Sequence, residues 1–195
     1  MTPFRRAAGP GDASAAGEQG SLRQAVARSE RRRERRTAQG RWRIMALLAL
    51  LILGVDQILK WAIRATVAPG EDWISLSSHL AIAHHRNDGI AFGLFAGSGR
   101  AVGLITAIVL PLIAVGLAAL ARERLAVAIC GALLLGGSIS NLADRLLRGQ
   151  VTDYIDVDVW PAFNLADVAI VGGVGLFLWV LSGDDHSPEP ETGQP

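Results

Sequence analysis

Four long apolar segments constrain the fold of this sequence more than any other feature. They cover about residues 44–63, 101–121, 125–143 and 163–181. Each is close to the roughly 20 residues with which a helix crosses about 30 Å of hydrocarbon. Half of the residues are hydrophobic and only 19% are charged, which is a rare balance for a soluble domain of this length. The sequence therefore predicts a mainly α fold, an integral membrane bundle of four helices.

The charge pattern predicts how this bundle is oriented. Nine arginines lie between Arg23 and Arg43, directly before the first apolar segment. Such a basic flank marks the cytoplasmic side of a span. Four crossings then return the C-terminus to the cytoplasm, so residues 183–195 form an acidic cytoplasmic tail. The loops 64–100 and 144–162 are expected on the extracytoplasmic side.

Residues 1–40 differ in composition from the rest of the chain. They are rich in Gly, Ala, Ser, Glu and Arg and have no apolar periodicity, which predicts a disordered basic extension. The arginine run 31–36 is suited to nucleic acid or anionic lipid. Because a span follows directly, an orientation signal is the favoured interpretation, and no nucleic acid partner is expected. Residues 41–182 form the membrane domain.

The first extracytoplasmic loop has a pattern of its own. Segments 73–76 and 80–84 alternate weakly between apolar and polar residues, as strands do, and Asn87-Asp88-Gly89 is a turn signal. These features predict a small β-hairpin or sheet between helices 1 and 2, lying on the outer leaflet. The apolar stretch 90–95 is expected at the membrane interface.

Polar side chains interrupt the apolar segments near one face of the membrane. An ionisable residue in a span is costly and is a functional hypothesis by default. Three helices contribute these residues close to their predicted extracytoplasmic ends: Asp56 and Lys60 in the first, Asn141 and Asp144 in the third, and Asn164 and Asp167 in the fourth.

Each acid also has a structural interpretation. Asp167 is expected at the third helical position after an Asn164 cap, where a carboxylate complements the helix dipole. Asp144 is expected to end the third helix and to pair with Arg145. Asp56 and Lys60 are spaced to pair on one helix face.

The loop acids are ambiguous by spacing alone. Asp153, like Asp156 and Asp158, is interpreted as a solvated loop acid. The sequence pattern does not distinguish a functional acid among the three. Two carboxylates held close together share one proton. The ionised member can then take a proton from water while the protonated member polarises a carbonyl, which is peptide hydrolysis without a metal.

Other chemistries find little support. His84 and His85 are adjacent and face opposite sides of a strand, so they cannot chelate one ion together. The single cysteine, Cys130, lies in an apolar run, and no metal motif is present. No metal or other cofactor is expected. Two non-proteolytic hypotheses stay open. The protein is a proton-coupled transporter or channel component, or it is an assembly factor that binds partners on its outer loop.

Five sequence blocks resemble a known family. They cover residues 56–60, 87–92, 136–145, 149–155 and 163–167. In this order, and within four spans, they resemble the bacterial lipoprotein signal peptidase, or signal peptidase II, family. The resemblance covers about residues 44–182. The departures are mild: Asp88 and Ile90 fill variable positions, and Tyr154 is an aromatic residue where the family accepts several apolar types.

The resemblance implies a membrane-embedded aspartyl endopeptidase in residues 41–182. It implies removal of the signal peptide from prolipoproteins, just before a cysteine that carries diacylglycerol, at the extracytoplasmic face of the cytoplasmic (inner) membrane. Prolipoproteins and membrane lipid are the implied partners. The implied catalytic pair is Asp153 and Asp167. The implied supporting residues are Asn141, Asp144, Arg145 and Asn164, which orient the site, and Asp56, Lys60, Asn87 and Gly89, which support the fold or hold the substrate.

Overall fold

The computed structural model of this chain describes residues 10–89, 98–122 and 124–182. Its elements run in the order α1, β1, β2, α2, α3, β3, β4, α4. The helices are α1 Pro10–Thr66, α2 Gly99–Leu120, α3 Leu125–Arg148 and α4 Leu165–Ser182. The strands are β1 Asp72–Ser77, β2 Leu80–Asn87, β3 Val151–Val157 and β4 Trp160–Phe163.

The four predicted spans are confirmed as helices of sufficient length. Among the described residues, four segments are long and apolar enough to cross a membrane: Val26–Thr66, Gly99–Leu120, Leu125–Arg148 and Leu165–Ser182. Their outer faces carry large apolar side chains such as Ile108 and Val171, which are 70% and 72% exposed. Apolar surface on this scale requires an apolar environment. The chain is a multi-pass membrane protein.

The N-terminal part of the chain differs from the prediction. The chain divides into two compact units, residues 1–40 and 41–195. In the first unit the chain is helical from Pro10 onward, whereas composition predicted disorder for residues 1–40. The disorder prediction considered only how little apolar surface the segment can bury. Ala, Arg, Glu and Gln are nevertheless strong helix formers individually.

Two helix boundaries also differ from the predicted ones. Helix α3 continues past Ala143 to Arg148 and ends at Gly149, whose φ of 77° closes the last turn. Glycine adopts this left-handed conformation without steric cost. Asp144 and Arg145 therefore lie inside the helix, not at its end. Phe163 belongs to β4, and α4 begins only at Leu165.

Helix α3 packs closely against its neighbours through small residues. A side chain at Gly136 would place its Cβ 2.7 Å from the carbonyl oxygen of Ala49 on α1. A Cβ at Gly137 would collide with the backbone of Ala166 on α4. Glycines at these positions let the helix backbones approach each other directly. This contact fixes the first turn of α4, which carries Asp167.

The connections between α1 and α2 and between α3 and α4 together supply a sheet that is larger than the expected hairpin. Four antiparallel strands lie in the order β1-β2-β3-β4. The hairpin β1-β2 lies between α1 and α2 as predicted, and β3 and β4 come from the connection between α3 and α4. The register pairs His85 with Asp153 and Asn87 with Val151. The apolar stretch 90–95 lies outside the described residues.

Candidate active site

A buried polar cluster lies where the sheet meets the ends of α1, α3 and α4. Its members are at most 4% exposed, although most are charged or carry amides. Buried polar groups are costly unless they are paired. The cluster comprises Asp56, Lys60, Ser140, Asn141, Asp144, Thr152, Asp153 and Asn164. The predicted convergence of polar residues from three helices is therefore confirmed.

Asp153 is a buried acid at the edge of this cluster. Its side chain on β3 accepts hydrogen bonds from Asn87 Nδ2 at 2.9 Å and from Asn164 Nδ2 at 2.7 Å. Burial raises the pKa of Asp153 to about 6, and the charge of Asp167 acts in the same direction, while the two amides and Lys60 oppose the rise. A carboxyl with this pKa can hold and release a proton near neutral pH.

Asp167 occupies the predicted position after the helix cap. The backbone N–H of Asp167 donates to Asn164 Oδ1 at 3.0 Å, and the backbone N–H of Asn164 donates to Asp167 Oδ2 at 3.1 Å. This reciprocal pair is a capping box with Asp in place of Glu. The carboxylate of Asp167 accepts a second bond, at Oδ1, from Asn141 Nδ2 at 2.8 Å. The capping prediction is confirmed, and the cap places the carboxylate beside Asn141.

Lys60, the chain's single lysine, fixes the orientation of the Asn141 side-chain amide. Its side chain is completely buried and donates to Asn141 Oδ1 at 2.6 Å. With its oxygen occupied by Lys60, the amide of Asn141 must present its nitrogen to Asp167. Lys60 also pairs with Asp56 at 2.8 Å, so the predicted i, i+4 pair is confirmed.

The predicted pairing of Asp144 with Arg145 is wrong. Asp144 is completely buried and instead pairs with Arg148 at 3.0 Å, with Arg64 at 3.5 Å and with Lys60 at 3.5 Å. Adjacent residues on a helix point in different directions, whereas residues four apart share a face. Since α3 continues to Arg148, the i, i+4 partner exists.

Arg145 contacts the backbone of Gly89 and not Asp144. Its Nη2 donates to the carbonyl oxygen of Gly89 at 3.2 Å. The N–H of Gly89 in turn donates to Asn87 Oδ1 at 3.0 Å. This bond occupies the oxygen of Asn87 and directs its nitrogen to Asp153. Gly89 and Arg145 therefore act on Asp153 through Asn87.

The structure separates the three loop acids that spacing did not. Asp156 accepts a bond from His85 at 2.7 Å and Asp158 from His79 at 2.9 Å. Their side chains are 33% and 57% exposed, whereas Asp153 is 2% exposed. Among these three, only Asp153 lies in the buried cluster with Asn164.

Several residues in the cluster or in contact with it were absent from the predicted site. Tyr154 and Ser140 both donate to Asp56, at 3.1 and 2.6 Å. Arg64 donates to Thr152 Oγ1 at 3.0 Å. The one available signal was the hydroxyl of Tyr154 directly after Asp153. Within the described residues, no group of three or more His, Cys, Asp or Glu is placed to hold a metal.

Comparison with known proteins decides the family. The family model described as signal peptidase (SPase) II matches residues 48–182, which include every residue of the predicted site. The chain belongs to the signal peptidase II family. It is therefore a membrane protease of lipoprotein processing, which removes signal peptides.

Relatives in this family cover the same region. The lipoprotein signal peptidase of Moorella thermoacetica is 40% identical over 146 residues, which is 74% of this chain and 97% of the relative. That of Shouchella clausii is 38% identical over 133 residues, or 68% and 88%. Two solved bacterial membrane enzymes share the fold. Their TM-scores are 0.67 and 0.62, their identities 28% and 30%, and each match covers 94% of that structure and 77% or 72% of this chain.

Proposed function

We propose that this member of the signal peptidase II family is an aspartyl endopeptidase whose catalytic pair is Asp153 and Asp167. The observation that carries the proposal is their common partner. Asn164 donates its side-chain amide to Asp153 and its backbone N–H to Asp167. One residue thus holds a carboxylate of β3 and a carboxylate of α4 in a fixed relation.

The surroundings of the pair favour a single shared proton. Each carboxylate accepts hydrogen bonds from amides. Lys60 is bound to Asp56 and Asn141, and Arg145, which donates to Gly89, interacts with both acids through its charge. With no direct cation partner among the described residues, two negative charges in a buried site repel each other. The pair therefore keeps one proton, and this proton belongs to both acids.

The shared proton supports hydrolysis without a covalent intermediate. The ionised carboxylate takes a proton from a water molecule as the water attacks the scissile carbonyl carbon. The protonated carboxyl donates a hydrogen bond to the carbonyl oxygen and stabilises its developing negative charge. The proton taken from water then goes to the leaving amine. Asn87, Asn141 and Asn164 keep the carboxylates oriented throughout.

The placement of the site fits a lipid-anchored substrate. The acids lie where the helices meet the sheet, so a peptide anchored by acyl chains presents its backbone at the same depth. We propose cleavage just before a diacylglyceryl-modified cysteine. In this proposal the site faces the extracytoplasmic side of the inner membrane, and both termini are cytoplasmic, as the arginine-rich flank indicates.

Purified enzyme and two precursors test this proposal. A diacylglyceryl-modified prolipoprotein should release its signal peptide, and mass spectrometry should find the modified cysteine at the new N-terminus. The same precursor without lipid serves as the control and should be cut far more slowly. EDTA should leave the rate unchanged. Equal cleavage of both precursors would contradict the substrate assignment, and EDTA inhibition reversed by zinc would contradict the aspartyl mechanism.

A further inference from the structure

The first turn of α4 is held by side chains from outside the helix. The first N–H groups of any helix lack partners within it. Here the N–H of Leu165 donates to the Tyr154 hydroxyl at 3.0 Å, and that of Ala166 donates to Asp56 Oδ1 at 3.1 Å. Asp167 itself is bound by the Asn164 cap. Two of these three contacts therefore come from β3 and α1.

The Tyr154 hydroxyl connects all three elements. It accepts the N–H of Leu165 and donates to Asp56 Oδ1 at 3.1 Å. Tyr154 is only 5% exposed, so water does not replace these bonds if they are lost. Burial, first of all, and the nearby Asp56 raise the pKa of Tyr154, and the phenol stays protonated and able to donate.

Tyr154 stands next to one acid in sequence and close to the other through α4. Its backbone follows that of Asp153 on β3, and its hydroxyl binds the residue two positions before Asp167. A shift of the first turn of α4 along β3 changes the separation of the two carboxylates. Displacements of about 1 Å can cost a hundredfold in rate.

From these contacts we infer that Tyr154 is a positioning residue, which sets the separation of Asp153 and Asp167 by fixing the first turn of α4 to β3. The inference rests on the proposed catalytic pair. Tyr154 does not touch the reacting atoms and acts through the N–H of Leu165. Its removal therefore lowers the rate of the chemical step more than it weakens substrate binding.

Ser140 provides a matched control within the same cluster. Its hydroxyl donates to Asp56 Oδ2 at 2.6 Å, so Ser140→Ala and Tyr154→Phe each remove one hydroxyl donor from the same carboxylate. Ser140→Ala also removes one acceptor of the Gln57 amide, which keeps the carbonyl oxygen of Ser140 as its other acceptor. Only Tyr154→Phe deprives the N–H of Leu165 of its acceptor. A difference between the two variants therefore isolates the contact with α4.

Kinetics on the lipid-modified precursor test the inference. Tyr154→Phe should lower kcat about tenfold with KM within about twofold of wild type, whereas Ser140→Ala should stay within about threefold in kcat. Equal kcat values in the two variants, or a change in KM alone, would overturn the positioning role. Asp153→Asn is measured beside them. Full activity there would overturn the catalytic pair itself, whatever Tyr154→Phe does.

A second measurement applies if Tyr154→Phe does not accumulate. Tyr154 is the only tyrosine of the chain, so growth on 3-fluorotyrosine labels this position alone without any mutation. Fluorination makes the phenol oxygen a weaker acceptor for the N–H of Leu165. A fall in kcat of about twofold at constant KM supports the inference, and unchanged kcat and KM overturn it.

Discussion

The side-chain nitrogen of Asn164 lies 2.7 Å from Oδ1 of Asp153. The same asparagine caps α4 through its side-chain oxygen, which accepts the N–H of Asp167 at 3.0 Å. One amide group therefore uses its two ends for two tasks: the oxygen starts the helix and the nitrogen holds the acid on β3. The two tasks are separable by mutation.

Asn164→Ser should separate these tasks. Serine is as good a helix cap as asparagine but is too short to donate to Asp153. We expect kcat to fall about tenfold or more, with thermal stability close to that of wild type. Asn164→Ala is the comparison, since it loses the cap as well and should cost about 1 kcal/mol of stability. Wild-type activity in Asn164→Ser would contradict the role assigned to the amide nitrogen.

The sequence predicted the local features of this site well. The cap of α4 followed from Asn164 and Asp167, three residues apart, because a capping box depends only on neighbours in the chain. The pairing of Asp56 with Lys60 depended on helical spacing alone. The error at Asp144 came from ending α3 too early, which hid its partner Arg148.

Features that depend on contacts between residues far apart in the sequence could not be predicted. Asp153 could not be told from Asp156 and Asp158, because its burial depends on Asn87 of β2 and Asn164, which the fold brings to it. Tyr154 was missed because its partner Asp56 lies 98 residues away. The place of the third and fourth strands in the sheet was not predicted, because β3 pairs with the distant β2 and β4 pairs with β3. Only the family resemblance singled out Asp153 among the three acids.

Asp144→Asn should destabilise the protein through the cations it leaves behind. Asp144 is completely buried and is shared by Lys60, Arg64 and Arg148. Removing one partner of a buried ion pair lowers the free energy of unfolding by about 3 kcal/mol or more. Arg148→Gln removes one partly exposed cation from the same group and should cost less than about 1 kcal/mol. Thermal unfolding in detergent compares the two variants. Equal losses of stability would contradict the claim that Asp144 stabilises all three cations.

The stability difference between Asp153→Asn and wild type should depend on pH. The pKa of Asp153 is about 6 in the folded protein, against an ordinary value of 3.8. Between these values the folded state binds more protons than the unfolded state, so wild-type stability falls as pH rises. The Asp153→Asn variant does not lose stability in this way, because asparagine does not titrate. The Tm of the variant relative to wild type should therefore rise between about pH 4 and pH 7, with a free-energy change of up to about 3 kcal/mol. A constant or falling difference would contradict the raised pKa.

Removal of residues 1–40 should leave proteolysis nearly intact. The family match begins at residue 48, and the second compact unit begins at Arg41. The truncated enzyme keeps Arg41 and Arg43 to orient the first span. We expect kcat and KM within about twofold of the full chain, because every residue of the proposed site belongs to the second unit. A correctly inserted truncation that lost cleavage would show that the extension takes part in the reaction.

The most direct test of the account is one gel of precursor and mature lipoprotein for four variants at matched enzyme levels. Asp153→Asn and Asp167→Asn should each abolish cleavage while the protein still inserts and accumulates, because asparagine keeps the shape of aspartate but cannot share a proton. Asp156→Asn and Asp158→Asn should keep substantial activity, since their partners are His85 and His79 at the sheet surface. Full activity in Asp153→Asn or Asp167→Asn, or a loss in Asp158→Asn equal to that in Asp153→Asn, would contradict the assignment of the catalytic pair.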